Sequence, residues 1–264
     1  SDEFVETLGD LEEDGRVAAV VVRINSPGGA VAPSQEMYDA VRRLSEVKPV
    51  VASLGAVAAS GGYYVASAAD VVVASPGTLT GSIGVIMSLA NVRGLMEKLG
   101  VETTIVTAGK WKDTGSPFRP ITPEERAMLQ KMADQVHTQF IDAVAAGRKL
   151  DPERAREVGN GRIFTGQEAQ EVGLVDELGG LETAIKTAGT RAGIVGKPVV
   201  EHRSPRRGPW WWRALTENAR ASAPPGSVLA FLESLARMGS AHGVHGEVPQ
   251  LLWRLPLVTE GFRW

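Results

Sequence analysis

The stretch RVAAVVVRI, residues 16–24, is a continuous run of β-branched and small apolar residues with no polar alternation. A strand of that kind is covered on both faces, the condition of a parallel sheet packed between helices. The surrounding pattern repeats the message. KPVVASLG (48–55), DVVVAS (70–75), GSIGVIMS (81–88) and VETTIVTA (101–108) read as further strands. Helices are expected over 34–46, from near Ser60, and over 91–99. From residue 17 to about 110 strands and helices alternate, which predicts βαβ units and an α/β fold with a mainly parallel sheet.

TPEERAMLQKMADQVHTQFIDAVAAGRK (122–149) opens with a Thr cap, Pro at the first helical position and acidic residues in the first turn, so it predicts one long helix. Helices over 151–158, 166–172 and 181–190 follow. The composition changes after about residue 202. RSPRRGPWWWR and ASAPPGS are rich in breakers, and five of the six tryptophans lie at or beyond Trp210. We divide the chain into a domain over 1–200 and an irregular extension over 201–264. The extension's aromatics suit packing on the body or a neighbouring subunit, contact with a membrane surface, or entry into the domain's own cleft.

The chain opens with SDEFVETLGDLEEDG, an amphipathic helix leading into the first strand, and has no starting Met. It reads as an excised segment, so a missing signal peptide or anchor carries no information. No apolar run approaches the ~18–20 residues of a membrane span. With 28 basic and 31 acidic residues the net charge is −3, which gives no reason to expect nucleic-acid binding. The chain has no cysteine, which removes disulfides, thiol catalysis and zinc–thiolate sites together.

Three stretches carry possible chemistry. In RINSPGG (23–29), Gly28 and Gly29 permit close approach and leave backbone N–H groups for a peptide strand or an oxyanion; a plain tight turn uses the same residues. In AVAASGGYYVASAAD (56–70), Ser60 stands after a strand and at a helix start, as an N-cap or as a nucleophile beside the Gly61 N–H. A nucleophilic serine needs a base. The four histidines are His137, inside the long helix, and His202, His242 and His245, in the tail, so a Ser-His-Asp triad has poor support. TAGKWKDTGSPFRP (107–120) offers Lys110 and Lys112 instead. A loop lysine is ordinarily a solvated charge. It serves as a base only when its surroundings lower its pKa by ~3 units, worth about 4 kcal/mol.

RINSPGG, AASGGYYVASAAD, TGSIGVI and KDTGSPFRPITPEER, in this order, resemble the signal peptide peptidase A family of Ser-Lys peptidases, in its short single-domain form. The likeness covers about residues 1–190 and implies a Clp protease/crotonase-like fold. It implies Ser60 as nucleophile, Lys112 as general base and Ser82 as the residue that orients the lysine. Gly61, Gly28 and Gly29 would form the oxyanion hole, and Asp113 would tie down the loop. Lys110 falls at a variable position. No cofactor and no metal are implied.

The resemblance implies a homo-oligomer in which serine and lysine meet across a subunit boundary. It also implies a membrane-associated enzyme with an extracytoplasmic catalytic domain that cleaves remnant signal peptides or similar hydrophobic segments. The family's N-terminal anchor and opening strand are missing before residue 1, and the Trp-rich tail is not part of its pattern. The small residues Ala58, Ala59, Gly61 and Gly62 suggest small or apolar side chains at the cleavage position. Other readings are a Ser-Lys peptidase of phage capsid maturation or stomatin processing, and a non-catalytic peptide-binding scaffold. The stomatin-associated type is disfavoured by the 52-residue Ser60–Lys112 separation and the KDTGSP loop. A crotonase-like CoA enzyme would need carboxylates beside AASGG that are not found.

Overall fold

The computed structural model describes residues 1–203, so the irregular Trp-rich extension expected over 201–264 lies, but for its first three residues, outside the described residues. The order is α1 (Asp2–Glu13), β1 (Val20–Ser26), α2 (Val31–Ser45), β2 (Val50–Ala59), α3 (Gly61–Ala66), β3 (Val71–Ala74), β4 (Leu79–Gly81) and α4 (Arg93–Lys98). Then come α5 (Pro123–Arg148), α6 (Pro152–Val158), β5 (Ile163–Thr165), α7 (Gly166–Glu171), β6 (Glu177–Leu178) and α8 (Leu181–Arg191). Among the described residues the pairs β1–β2, β2–β3, β2–β4 and β3–β6 are parallel, and only β4–β5 is antiparallel. This is the α/β, mainly parallel, Clp-like architecture expected.

In β1, Val20, Val21, Val22 and Ile24 are all buried, as a strand covered on both faces requires. One face packs with Phe4, Leu8 and Leu11 of α1 and Met37, Val41 and Leu44 of α2. Val21, Val51 and Val73 meet Ala184 and Ala188 of α8 on the other. Each of these Val, Leu, Ile, Met and Phe side chains contributes about 1.5–3 kcal/mol by leaving water.

β2 organises the site. One edge lies along β1, and the other is shared by β3 beside Val51–Ser53 and β4 beside Val57–Ala59. The split leaves buried backbone acceptors that threonines fill: Thr78 Oγ1 donates to Gly55 O (2.8 Å) and Thr80 Oγ1 to Ala58 O (2.6 Å). Asn25, at an irregularity in β1, accepts from Val57 N (3.1 Å). The end of β2 therefore diverges from β3 and presents residue 60 at the sheet's C-terminal edge.

Two expected strands are absent. Residues 82–88 continue past β4 outside any strand, and residues 101–107 form no ladder although their sequence is β-prone. Ile83 still anchors the first segment in the core, whereas Ile86, Met87 and the apolar side chains of 101–107 stay in solvent, with Val106 92% exposed. The remaining elements fall within a few residues of expectation, and β5 and β6 are too short to show a period of their own.

Candidate active site

Ser60 occupies the N-cap position of α3, yet its side chain makes no capping bond. Its backbone has φ 52° and ψ −125°, a left-handed conformation that strains any residue with a Cβ. Neighbours hold it there. The Ser60 N–H donates to Gly81 O (2.8 Å), and Ser60 O accepts from Tyr64 N (2.9 Å). Both backbone groups are consumed and the hydroxyl is left without a partner among the described residues.

Gly28 lies against this turn, with φ +108°. A Cβ there would come 2.6 Å from Ser60 Cβ and 2.9 Å from Gly61 N, so the approach requires glycine. Its N–H donates to Ser26 Oγ (3.2 Å). The N–H groups of Gly29 and Gly61 have no acceptor among the described residues. They lie on the two sides of the contact, since Gly29 N is 3.3 Å from where a Gly61 Cβ would sit. Gly28 thus allows the approach, while Gly29 and Gly61 supply unfilled donors suited to developing negative charge. Gly28→Ala is expected to destabilise the fold by about 2 kcal/mol, from positive φ and overlap together. It should also slow any reaction at Ser60. Urea unfolding reads the first effect, and an unchanged midpoint would contradict the packing described.

A cleft of about 120 Å³ opens beside Ser60, with Ser34, Tyr64, Val85, Val136 and Phe140 in its walls. Tyr64 stacks on Phe140 with centroids 4.6 Å apart, and burial pushes its phenol pKa up, so it stays neutral. Ser82 follows Gly81, whose carbonyl holds Ser60. It too has positive φ (51°), and its N–H donates to Arg162 O (2.8 Å). The structure therefore gathers Ser60, Gly61, Gly28 and Gly29, with Ser82 one residue beyond the Ser60 anchor.

Lys112 is elsewhere. It is exposed and forms no part of the cleft wall. It ends a segment that carries Ile86 (91% exposed), Leu89, Leu95, Leu99, Ile105, Val106 and Trp111 in solvent. Lys110 instead places its ammonium over the Trp111 ring, 4.6 Å from the centroid. Asp113, beside Lys112, pairs with Arg119, and Arg119 also reaches Glu125. The Arg119 guanidinium holds the Glu125 carboxyl down at about 2, helped by the Thr122 N–H, and holds Asp113 below its usual range.

These depressed values fix a sign. The Glu125 carboxylate stabilises the fold fully above its ordinary pKa of 4.5, and the contribution is lost as pH falls toward about 2. The gap in thermal midpoint between the wild type and Glu125→Gln should therefore be widest near neutrality and close between pH 4.5 and 2. A gap independent of pH would show that the carboxylate charge is not what Arg119 holds.

Several wall residues were not singled out by sequence. Val136 and Phe140 stand at i and i+4 on α5, a spacing that marks one helix face but not what that face meets. His137 shares that helix, and its Nε2 lies 2.6 Å from Gly159 O and 3.1 Å from Ile83 O. It ties the segment after Ser82 to the α6 turn and is not presented to Ser60 as a base.

The sequence pattern of peptidase family S49 matches residues 42–194, and that of the Clp protease matches residues 1–80. A Synechocystis sp. protein named for protease activity is 47% identical over 182 residues, 69% of this chain and 66% of its own length. A similarly named Methanocaldococcus jannaschii protein is 42% identical over 199 residues, 75% of this chain and 64% of its own. The chloroplastic serine protease SPPA of Arabidopsis thaliana is 38% identical over 195 residues, 74% of this chain and 29% of its own. The chain thus spans slightly under two thirds of the length of the first two relatives. Among the described residues no helix is long and apolar enough to cross a membrane.

Proposed function

Because the chain belongs to peptidase family S49, alongside proteins named signal peptide peptidase A, we propose that it is a serine endopeptidase with Ser60 as nucleophile and Lys112 as general base. The observation that carries the reading is the state of Ser60: strained, pinned through its backbone, free of any capping role, and flanked by two unfilled N–H donors.

In this reading the neutral amine of Lys112 takes the Ser60 proton as Oγ attacks a peptide carbonyl. The oxyanion is held by Gly29 and Gly61. The ammonium then gives its proton to the leaving amine, and a water molecule, deprotonated by the same lysine, releases the acyl group. Ser82 hydrogen-bonds the lysine and sets its direction. The base comes from a second copy of the chain, because Lys112 sits off its own cleft at the end of an arm rich in exposed apolar side chains. Burial of that arm against a neighbour supplies the contact area and dries the lysine's surroundings.

The substrate is an extended hydrophobic peptide, such as a remnant signal peptide at or near a membrane. The shallow apolar cleft between Val85, Val136 and Phe140 suits a small or branched aliphatic side chain. A fluorophosphonate probe followed by peptide mapping tests the assignment. Modification is expected at Ser60, and a probe that labels another serine, or none in active protein, overturns it.

A further inference from the structure

We infer that Arg119 is a positioning residue for catalysis, aiming Lys112 by clamping the loop behind it to the head of α5. This rests on the reading of Lys112 as the base. Arg119 meets Asp113 fork to fork, with Nε to Oδ2 at 2.8 Å and Nη2 to Oδ1 at 2.9 Å, and Nη2 also donates to Asp113 O at 3.2 Å. Its other side reaches Glu125, with Nη1 to Oε2 at 2.8 Å and Nη2 to Oε1 at 2.5 Å. Nη1 further donates to Pro120 O (3.2 Å).

Glu125 is the fixed end of this clamp. It is only 3% exposed and accepts from the Thr122 N–H (2.9 Å), while its own N–H donates to Thr122 Oγ1. One carboxylate thereby caps α5 and anchors Arg119. Backbone bonds also hold the loop: Val92 N to Pro117 O (2.7 Å) ties it to the start of α4, and turn bonds such as Lys112 N to Gly109 O (3.1 Å) lie within it. Asp113 is bonded directly to Lys112 in the chain, so the Asp113–Arg119 fork is the nearest side-chain restraint on the base. Isolated surface ion pairs contribute little, but a bidentate pair shared with a buried carboxylate defines geometry as well as energy. Reaction rates respond steeply to such geometry, since misplacement by ~1 Å costs about a hundredfold. Lysine cannot replace this function of arginine, because a point charge has no fork.

The test uses the full assembled protein and steady-state cleavage of a hydrophobic peptide, with Arg119→Lys, Asp113→Asn and the double variant. Each single variant should lose about tenfold or more in kcat with KM changed less than about twofold, as expected for misaligned chemistry rather than lost binding. The acid limb of the pH–rate profile should move to higher pH, and the double variant should be no worse than either single one. Unchanged kcat and pH profile, or losses that simply add, overturn the inference. So does a lowered thermal midpoint with normal turnover, the signature of a purely structural clamp. Arg119→Lys and Asp113→Asn keep the charge or the volume, so the test stands even if Arg119→Ala does not fold. If Lys112→Ala retains turnover, the reading of the base itself has failed. If Lys112→Ala is inactive while the Arg119 and Asp113 variants are normal, only the clamp has.

Discussion

Ser60→Ala is expected to lower kcat for peptide cleavage by at least about a thousandfold, because the other serine in the cleft wall, Ser34, is buried with its hydroxyl donated to Ala30 O (2.9 Å). Fold and assembly should survive, since the hydroxyl makes no hydrogen bond among the described residues and alanine keeps the same Cβ. The local strain gives a second, independent reading of the same position. At φ 52° a Cβ is unfavourable and glycine is at ease. Ser60→Gly should therefore be as inactive as Ser60→Ala yet more stable than it by about 1 kcal/mol. Denaturant titration of the two variants, beside a peptide assay, checks both statements. Turnover retained in either variant ends the nucleophile assignment; a glycine variant less stable than the alanine one would mean that the turn is not strained.

Lys112→Ala should be equally inactive, but co-expression with Ser60→Ala should restore activity. A site built from the Ser60 of one copy and the Lys112 of its neighbour is intact wherever a Lys112→Ala subunit meets a Ser60→Ala subunit in the correct order. Random 1:1 mixing in a closed ring creates that order at roughly one boundary in four, so about a quarter of wild-type activity is expected. A serine and lysine from the same chain would give none. The expectation rests on the placement of Lys112 outside its own cleft and on the exposed apolar arm from Ile86 to Trp111 that carries it. Activity of the mixture no higher than that of the separate variants would place both residues in one subunit and require the arm to fold back.

Much of the fold is visible in local pattern. The unbroken apolar run of β1 and the capping signals of α5 act within a few residues, so the sequence alone determines that these elements exist and that the sheet is mainly parallel. The β-prone run at 101–108 shows the limit of that logic. Propensity states what a segment can pair as, but a strand also needs a partner, and among the described residues this run has none. The β-ladder partners of Val57, Leu79 and Ile163 are likewise set by long-range register.

At the site the division is sharper. Sequence alone identifies SGG after a strand, PGG after another and a lysine in KDTGSP, and the order of these motifs carries the family resemblance. It leaves Ser60 balanced between helix cap and nucleophile, because both use the same residue at the same place. Tertiary structure decides that the cap bond is not made: Gly81 O, 21 residues away, takes the Ser60 N–H and holds the turn at positive φ. It also decides that Gly28 spends its N–H on Ser26 while Gly29 and Gly61 keep theirs, and that Lys112 ends on an exposed arm. Residue type and spacing are local properties of the chain. Which donor is free, and which side chain faces it, depends on partners that only folding brings within hydrogen-bond distance.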